Sequence, residues 1–158
     1  MKAIIVDLDG TLFDNSGRSH LIPTVNPNNY GAWEKFNKAC LGDKPCEERI
    51  NWVKSLVDIC LGDCVLIFLT SRGEHASEET IIQLSNCFLG YRYKLSMRTQ
   101  YEHMSSVDYK RIRLKDMLEG DVYSHTVIVD DNPDVCNMAR VHFPHSKVIQ
   151  VESMDCTI

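Results

Sequence analysis

Apolar and polar positions along the chain fall into alternating blocks rather than one continuous period. The runs at residues 3–6, 65–69 and 126–129 are almost wholly apolar. They read as strands buried on both faces, as in the interior of a parallel sheet. Between them lie segments with helical spacing. In residues 45–60, Ile50, Val53, Leu56, Val57 and Cys60 recur at that spacing and form one apolar stripe suited to packing on a sheet. Further helices are predicted over 30–40, 74–88, 107–118 and 133–140, and short strands over 93–97 and 147–151. Gly42, Gly62 and Gly120 mark helix ends, and Pro133 is placed to open the last helix. Residues 14–29, rich in Asn, Pro and Gly, read as a loop. Strands and helices in alternation predict an α/β fold with a mostly parallel sheet, and no internal repeat interrupts it.

Composition narrows the class. With 158 residues, 44% of them hydrophobic, the chain suits one domain spanning residues 1–158. No stretch approaches the roughly 20 apolar residues of a membrane span, and Asp7 breaks the basic-then-apolar pattern of a signal peptide. The expectation is a soluble, cytoplasmic protein without membrane association. Seven cysteines (Cys40, Cys46, Cys60, Cys64, Cys87, Cys136 and Cys156) are odd in number and evenly spread, which favours reduced thiols. None forms a CxxC pair, no Cys/His set has zinc spacing, and His142 and His145 read as surface residues. A net charge of −5 argues against a broad basic surface for gripping nucleic-acid duplexes. The densest basic stretch, Arg92 through Arg98 to Lys115, reads either as a solvated helix face or as a local patch.

The chemistry gathers where apolar runs end. Asp7 and Asp9 follow the first, Thr70 and Arg72 the second, Asp130 and Asp131 the one at 126–129. In open α/β sheets that carboxyl edge is where ligands bind. Four carboxylates converging there would repel one another unless a cation neutralised them, and oxygen-only ligands suit a hard ion such as Mg2+. In Asp7-Leu8-Asp9-Gly10-Thr11 the two acids stand two positions apart, so both can address one crevice while Gly10 lets the chain turn. One acid can attack phosphorus while the other exchanges protons with the leaving or attacking oxygen. A phosphoryl group also needs cations and donors beside it, which Thr70, Arg72 and Lys110 could supply. The competing reading of each Asp pair is a turn or helix cap, and that of Lys110 and Lys115 a solvated helix position.

These residues resemble the haloacid-dehalogenase-like (HAD) phosphohydrolases. The family signature DxDGT reads here as DLDGTL, followed in order by an apolar strand ending in Thr70, a lysine, and the acidic pair Asp130-Asp131. Gly17-Arg18, Thr70-Ser71-Arg72 and the stretch from Met97-Arg98 to Lys110 look like the phosphatase domains of bacteriophage polynucleotide kinase-phosphatases, although Ser71 replaces an expected glycine. The resemblance favours Lys110 over Lys115. It implies a three-layer Rossmann-like sandwich, with Asp7 as nucleophile, Asp9 as general acid/base, Thr70 as a phosphoryl-oxygen donor and Lys110 as the neutralising cation. Mg2+ would sit among Asp7, the backbone carbonyl of Asp9, and Asp130 or Asp131. Arg18, Ser71, Arg72 and Arg98 would hold the rest of the substrate, the alternative for the arginines being surface charge. Both intervals where the family inserts caps are short, so no large cap domain is expected. An open site admits a nucleic acid end or closes against a second subunit. The leading substrate is a 3′-phosphorylated polynucleotide or a nucleotide; sugar or protein phosphates, or a non-catalytic adaptor, are the rivals.

Overall fold

A computed structural model describes residues 1–120 and 122–154; Cys156 lies outside the described residues. In chain order the strands are β1 (Lys2–Val6), β2 (Phe13–Asp14), β3 (Lys44–Pro45), β4 (Cys64–Gly73), β5 (Tyr93–Arg98), β6 (His125–Asp130) and β7 (Ser146–Gln150). The helices are α1 (Glu34–Lys38), α2 (Glu47–Ile59), α3 (Ser77–Cys87), α4 (Ser106–Leu118) and α5 (Pro133–His142). Five strands form one parallel sheet in the order β5-β4-β1-β6-β7, and β2 and β3 form a small antiparallel pair.

Alternation along β1 builds the three layers. Ile4 and Val6 point to one face, where they meet Ile50 and Val53 of α2 and Leu84 of α3. Ala3 and Ile5 point to the other, against Tyr109 and Leu114 of α4 and Val135 and Ala139 of α5. A strand with both faces covered must be apolar at every position. The sheet therefore sits between two helical layers, as the strand and helix pattern predicts.

Three local differences from the sequence expectation matter for the site. First, β4 does not stop at Leu69 but runs to Gly73, which pairs with Arg98 of β5 after an irregularity in the register. Such an irregularity re-aims side chains, here those of Thr70 to Arg72. A Cβ at Gly73 would come within 2.4 Å of the His75 ring and 2.6 Å of Tyr30, so only glycine lets these segments approach. Second, the helix expected over 30–40 divides into two 3-10 turns flanking the five-residue α1. Its groups bond to neighbours instead: the Tyr30 N–H donates to His103 Nδ1 at 3.2 Å, and the Tyr30 hydroxyl accepts from the His75 N–H at 3.0 Å. Third, the loop at 14–29 contains a 3-10 turn at Ser16–Leu21 that buries Arg18. Among the described residues the interval between β2 and β3 holds these short turns and no large cap domain.

Candidate active site

The signature turn is a compact unit. Asp7 extends the pairing of β1 with β6 through its N–H, which donates to the Val129 carbonyl at 3.0 Å. The Leu8 carbonyl then accepts from Leu12 and Phe13 at 2.8 and 3.0 Å, and Gly10 sits at φ +76°, a left-handed conformation that favours glycine. Leu8 is buried in the core, on the opposite side of the strand end from the acids that flank it.

Two groups of charges form around this turn, and they differ in kind. The first comprises Asp7, Asp130, Asp131 and Lys110, all buried. The Lys110 ammonium lies 2.8 Å from Asp7 Oδ1 and 2.7 Å from Asp130 Oδ2. Asp130 Oδ1 accepts from the Asn132 N–H at 3.0 Å, where Asn132 also caps α5 through the N–H groups of Asp134 and Val135. Asp131 is fixed by three bonds. Thr11 Oγ1 donates to its Oδ1 at 2.9 Å and accepts from its N–H at 3.0 Å, and Ser153 Oγ donates to its Oδ2 at 2.7 Å.

Asp7, Asp130 and Asp131 each place a carboxylate oxygen within 4.8 Å of the others. Burial above all, then Asp130 and Asp131, push the Asp7 carboxyl well above its usual value, against the pull of Lys110. Burial likewise disfavours the Lys110 charge, but Asp130 and then Asp7 outweigh it and hold the ammonium above the lysine range. Three acids facing one ammonium leave a net negative, all-oxygen donor set of the kind that fits Mg2+.

The second group is Asp9, Asp43, Arg18 and Arg72. Arg72 donates from Nη2 and Nε to the two Asp9 oxygens at 2.7 and 3.1 Å, and its Nη1 is taken by Gln83 and Thr80 at 2.7 and 3.2 Å. Arg18 pairs with Asp9 through Nη2 and forks onto Asp43 at 2.8 and 2.7 Å. Its Nη1 donates to the Phe36 carbonyl at 2.9 Å, and its guanidinium stacks 4.0 Å from the Phe36 ring centre. Burial alone would raise the Asp9 carboxyl; Arg72 and then Arg18 override it and hold it at about 2.

Every candidate site residue of the sequence, apart from Lys115, comes to this one edge. Thr70 is buried, with Oγ1 accepting from the Arg72 N–H at 3.2 Å. Ser71 Oγ is buried without a hydrogen-bond partner among the described residues. Lys115 is exposed on α4, so Lys110 is the lysine that reaches the acids. A cavity of about 320 Å3 opens over the site, lined by Asp7, Asp9, Thr70, Ser71, Arg72, Arg98, Lys110 and Asp131 and walled by the apolar side chains Ile22, Trp33, Phe36 and Met104. Arg18 does not line it, and neither Arg18 nor Arg72 is the solvated surface charge that was their alternative.

Four contributors were not singled out in the sequence. Thr11 belongs to the signature itself, and its position there is the signal for its bond to Asp131. Asp43 follows a helix-ending glycine, a place where aspartate needs no special reason. Trp33 and Phe36 sit in a segment that reads only as a helix.

The sequence matches no family model and no curated protein. Among solved structures, the chain is similar over 96% of its length to a chain of the Pnkp1/Rnl/Hen1 complex, with 22% identity and a TM-score of 0.72. A second structure, of the Pnkp1/Rnl/Hen1 RNA repair complex, gives 22% identity over 96% and a TM-score of 0.70. The chain spans 46% and 42% of those two chains. The HAD domain of the effector protein Lem4 from Legionella pneumophila is similar over 96% of this chain and 86% of its own, at 12% identity and a TM-score of 0.54. These likenesses are of fold, and the chain has the HAD-like three-layer α/β fold with a mostly parallel sheet.

Proposed function

We propose that the chain is a Mg2+-dependent phosphomonoester hydrolase that works through a phosphoryl-enzyme on Asp7. The observation that carries this reading is the uncompensated cluster at the carboxyl edge: Asp7, Asp130 and Asp131 within 4.8 Å of one another, with Lys110 bonded to two of them.

Asp7 Oδ2, which among the described residues accepts only a long 3.4 Å bond from Thr11 Oγ1, attacks phosphorus, and the bond from phosphorus to the leaving oxygen breaks. Asp9 gives that oxygen a proton. Water then gives a proton to Asp9 while its oxygen attacks the same phosphorus; the bond to Asp7 breaks and inorganic phosphate leaves. Lys110, Thr70 and Ser71 neutralise or bond the phosphoryl oxygens. A Mg2+ ion held by Asp7, Asp130 or Asp131 and the Asp9 carbonyl would add charge neutralisation at the same oxygens. With Arg72 and Arg18 on it, Asp9 is an ionised acceptor suited to the second step. Beside Arg72 and Arg18 the carboxyl is held ionised, so for the first step it must turn from the guanidinium groups toward the leaving oxygen and take up a proton from solvent.

For substrate, the reading is a 3′-phosphorylated polynucleotide end or a nucleotide. Likeness in fold to a chain of an RNA repair complex supports it, as does an aromatic wall able to face a base. Sugar or protein phosphates are the second reading, favoured if the wall serves only to exclude water. No helix among the described residues is long and apolar enough to cross a membrane.

Phosphate release with and without Mg2+ tests both levels. The panel is a 3′-phosphorylated oligonucleotide, 3′- and 5′-mononucleotides, a sugar phosphate, a phosphopeptide and an aryl phosphate. Metal-dependent release led by the oligonucleotide is the expected result. Release from the sugar phosphate or phosphopeptide alone removes the nucleic-acid substrate, and no release from any compound removes the hydrolase.

A further inference from the structure

The three arginines of the site are not equivalent. Arg18 and Arg72 are neutralised by Asp9 and Asp43. Arg98, at the end of β5, is equally buried, at 5% exposure, yet no carboxylate among the described residues pairs with it. Among the described residues its side chain makes one hydrogen bond, from Nη1 to the Met104 carbonyl at 2.8 Å, and its Nε has no partner. The guanidinium lies 5.1 Å from the Tyr109 ring centre, and that ring already has Arg113 at 5.7 Å. The acid whose charge is felt there, Glu102, is bonded elsewhere, to Arg113 at 2.9 Å and to the Thr99 N–H at 2.7 Å.

Burying a guanidinium without a counter-charge costs free energy, and burial here pulls its pKa below the arginine value. The missing anion has a route in, because Arg98 lines the same cavity as Asp7 and Lys110. Ser106, in the first turn of the 13-residue α4, lines it too, adding a helix N-terminus whose amides favour negative charge. In strand order, β5 is two places from β1, roughly 10 Å at about 4.8 Å per strand. A ligand with one phosphoryl group on the acidic cluster therefore needs a second anionic group to reach Arg98.

Resting on the phosphohydrolase reading, we infer that Arg98 and the α4 N-terminus form a subsite for a second, non-scissile phosphate on the leaving group. Two sources share that chemistry: the phosphodiester next to a 3′ end, and the other monoester of a nucleoside bisphosphate. Neither the sugar phosphates nor the phosphopeptides of the rival reading carry it as a rule.

The test is equilibrium binding to the full chain carrying Asp7→Asn, with Mg2+ present, so that no turnover is needed. The probes are thymidine 3′-phosphate, thymidine 3′,5′-bisphosphate, a 3′-phosphorylated dithymidylate, and that dinucleotide with a neutral methylphosphonate linkage. With Arg98 intact, a second phosphate should tighten binding about 10- to 100-fold over thymidine 3′-phosphate. Arg98→Gln should abolish that gain and change thymidine 3′-phosphate binding less than about threefold, and Arg98→Lys should keep part of the gain. The methylphosphonate should bind like the monophosphate, a comparison that needs no substitution at Arg98 and stands if Arg98→Gln fails to fold. Gain with the dinucleotide alone or the bisphosphate alone supports the subsite and identifies its source. Equal weakening of all probes by Arg98→Gln, no gain from a second phosphate, or no binding of any probe overturns it. Wild-type release of phosphate from an aryl ester, beside a flat Arg98 comparison, would leave the hydrolase intact and remove only the subsite.

Discussion

The two acids of the signature turn, two residues apart, live in opposite electrostatic worlds. Asp9 belongs to a group of two half-buried acids and two buried arginines that neutralise one another, with almost every donor bonded. Asp7 belongs to a buried group in which three acids face one ammonium. A balanced buried network is architecture: it fixes the insert between β2 and β3 onto the turn through Arg18 and Asp43. An unbalanced one stores unfavourable repulsion that an incoming cation, or protonation of Asp7, relieves. The difference separates the acid that takes the phosphoryl group from the network that anchors the insert and sets the charge of the proton carrier Asp9.

Four experiments would break or sharpen that contrast. The largest effect expected is from Asp7→Asn, which should reduce turnover by at least about 10^3-fold because an amide is a poor nucleophile. In metal-free buffer the same variant should unfold at the same or a higher temperature than wild type, since it removes one repelling charge. Near-normal phosphate release would sink the mechanism. Next, Lys110→Ala should lose about 10^2- to 10^3-fold in kcat/KM and the exposed Lys115→Ala almost nothing. The reverse order would mean that the wrong lysine has been assigned to the reaction.

On the balanced side, Arg72→Ala should cost about 3 kcal/mol in urea unfolding, because it removes a fully buried guanidinium and leaves the half-buried Asp9 and the buried Gln83 each with one partner fewer. A loss confined to activity, with stability unchanged, would show that the network is not architectural. The smallest effect is in pH dependence. Asp9 is held at about 2 against a usual 3.8, so its contribution is fully present above the unfolded value and disappears as pH falls through about 2. That loss is up to about 2 kcal/mol. Asp7 has the opposite sign: its folded value is raised, so its contribution is complete below 3.8 and is lost as pH climbs through the raised value. Urea stability of metal-free protein should therefore fall on both sides of an acidic optimum, and a curve that only rises with pH would contradict the assignment for Asp7.

How much of this could be read from the chain alone follows from the range of each interaction. The strands of the sheet were legible because burial on both faces leaves unbroken apolar runs, as in Ile4-Ile5-Val6 and Leu66-Ile67-Phe68-Leu69. Asp7, Asp9, Asp130 and Asp131 were legible because strand ends at one sheet edge must meet. Spacing alone left Lys110 and Lys115 open and only the family resemblance favoured Lys110; the structure supplies the reason, since both stand on the same helix and Lys110 alone reaches the acids. The continuation of β4 to Gly73 was hidden because polar residues in a strand look like its end, and here Thr70 and Arg72 are polar for the sake of the site. Asp43 left no local trace at all, for its reason to exist is two arginines contributed by distant segments.

One feature of the sheet has a meaning in time. The strand that leads into Asp7 is made long before β6, which brings Asp130 and Asp131 and pairs directly against it. The Thr11 to Asp131 bond that fastens the two spans 120 residues. Pairing across so long a loop is slow and comes late in folding. During synthesis the nucleophile would therefore wait on the ribosome without its partners, and a nascent chain stalled before β6 would carry the whole signature turn while remaining chemically silent.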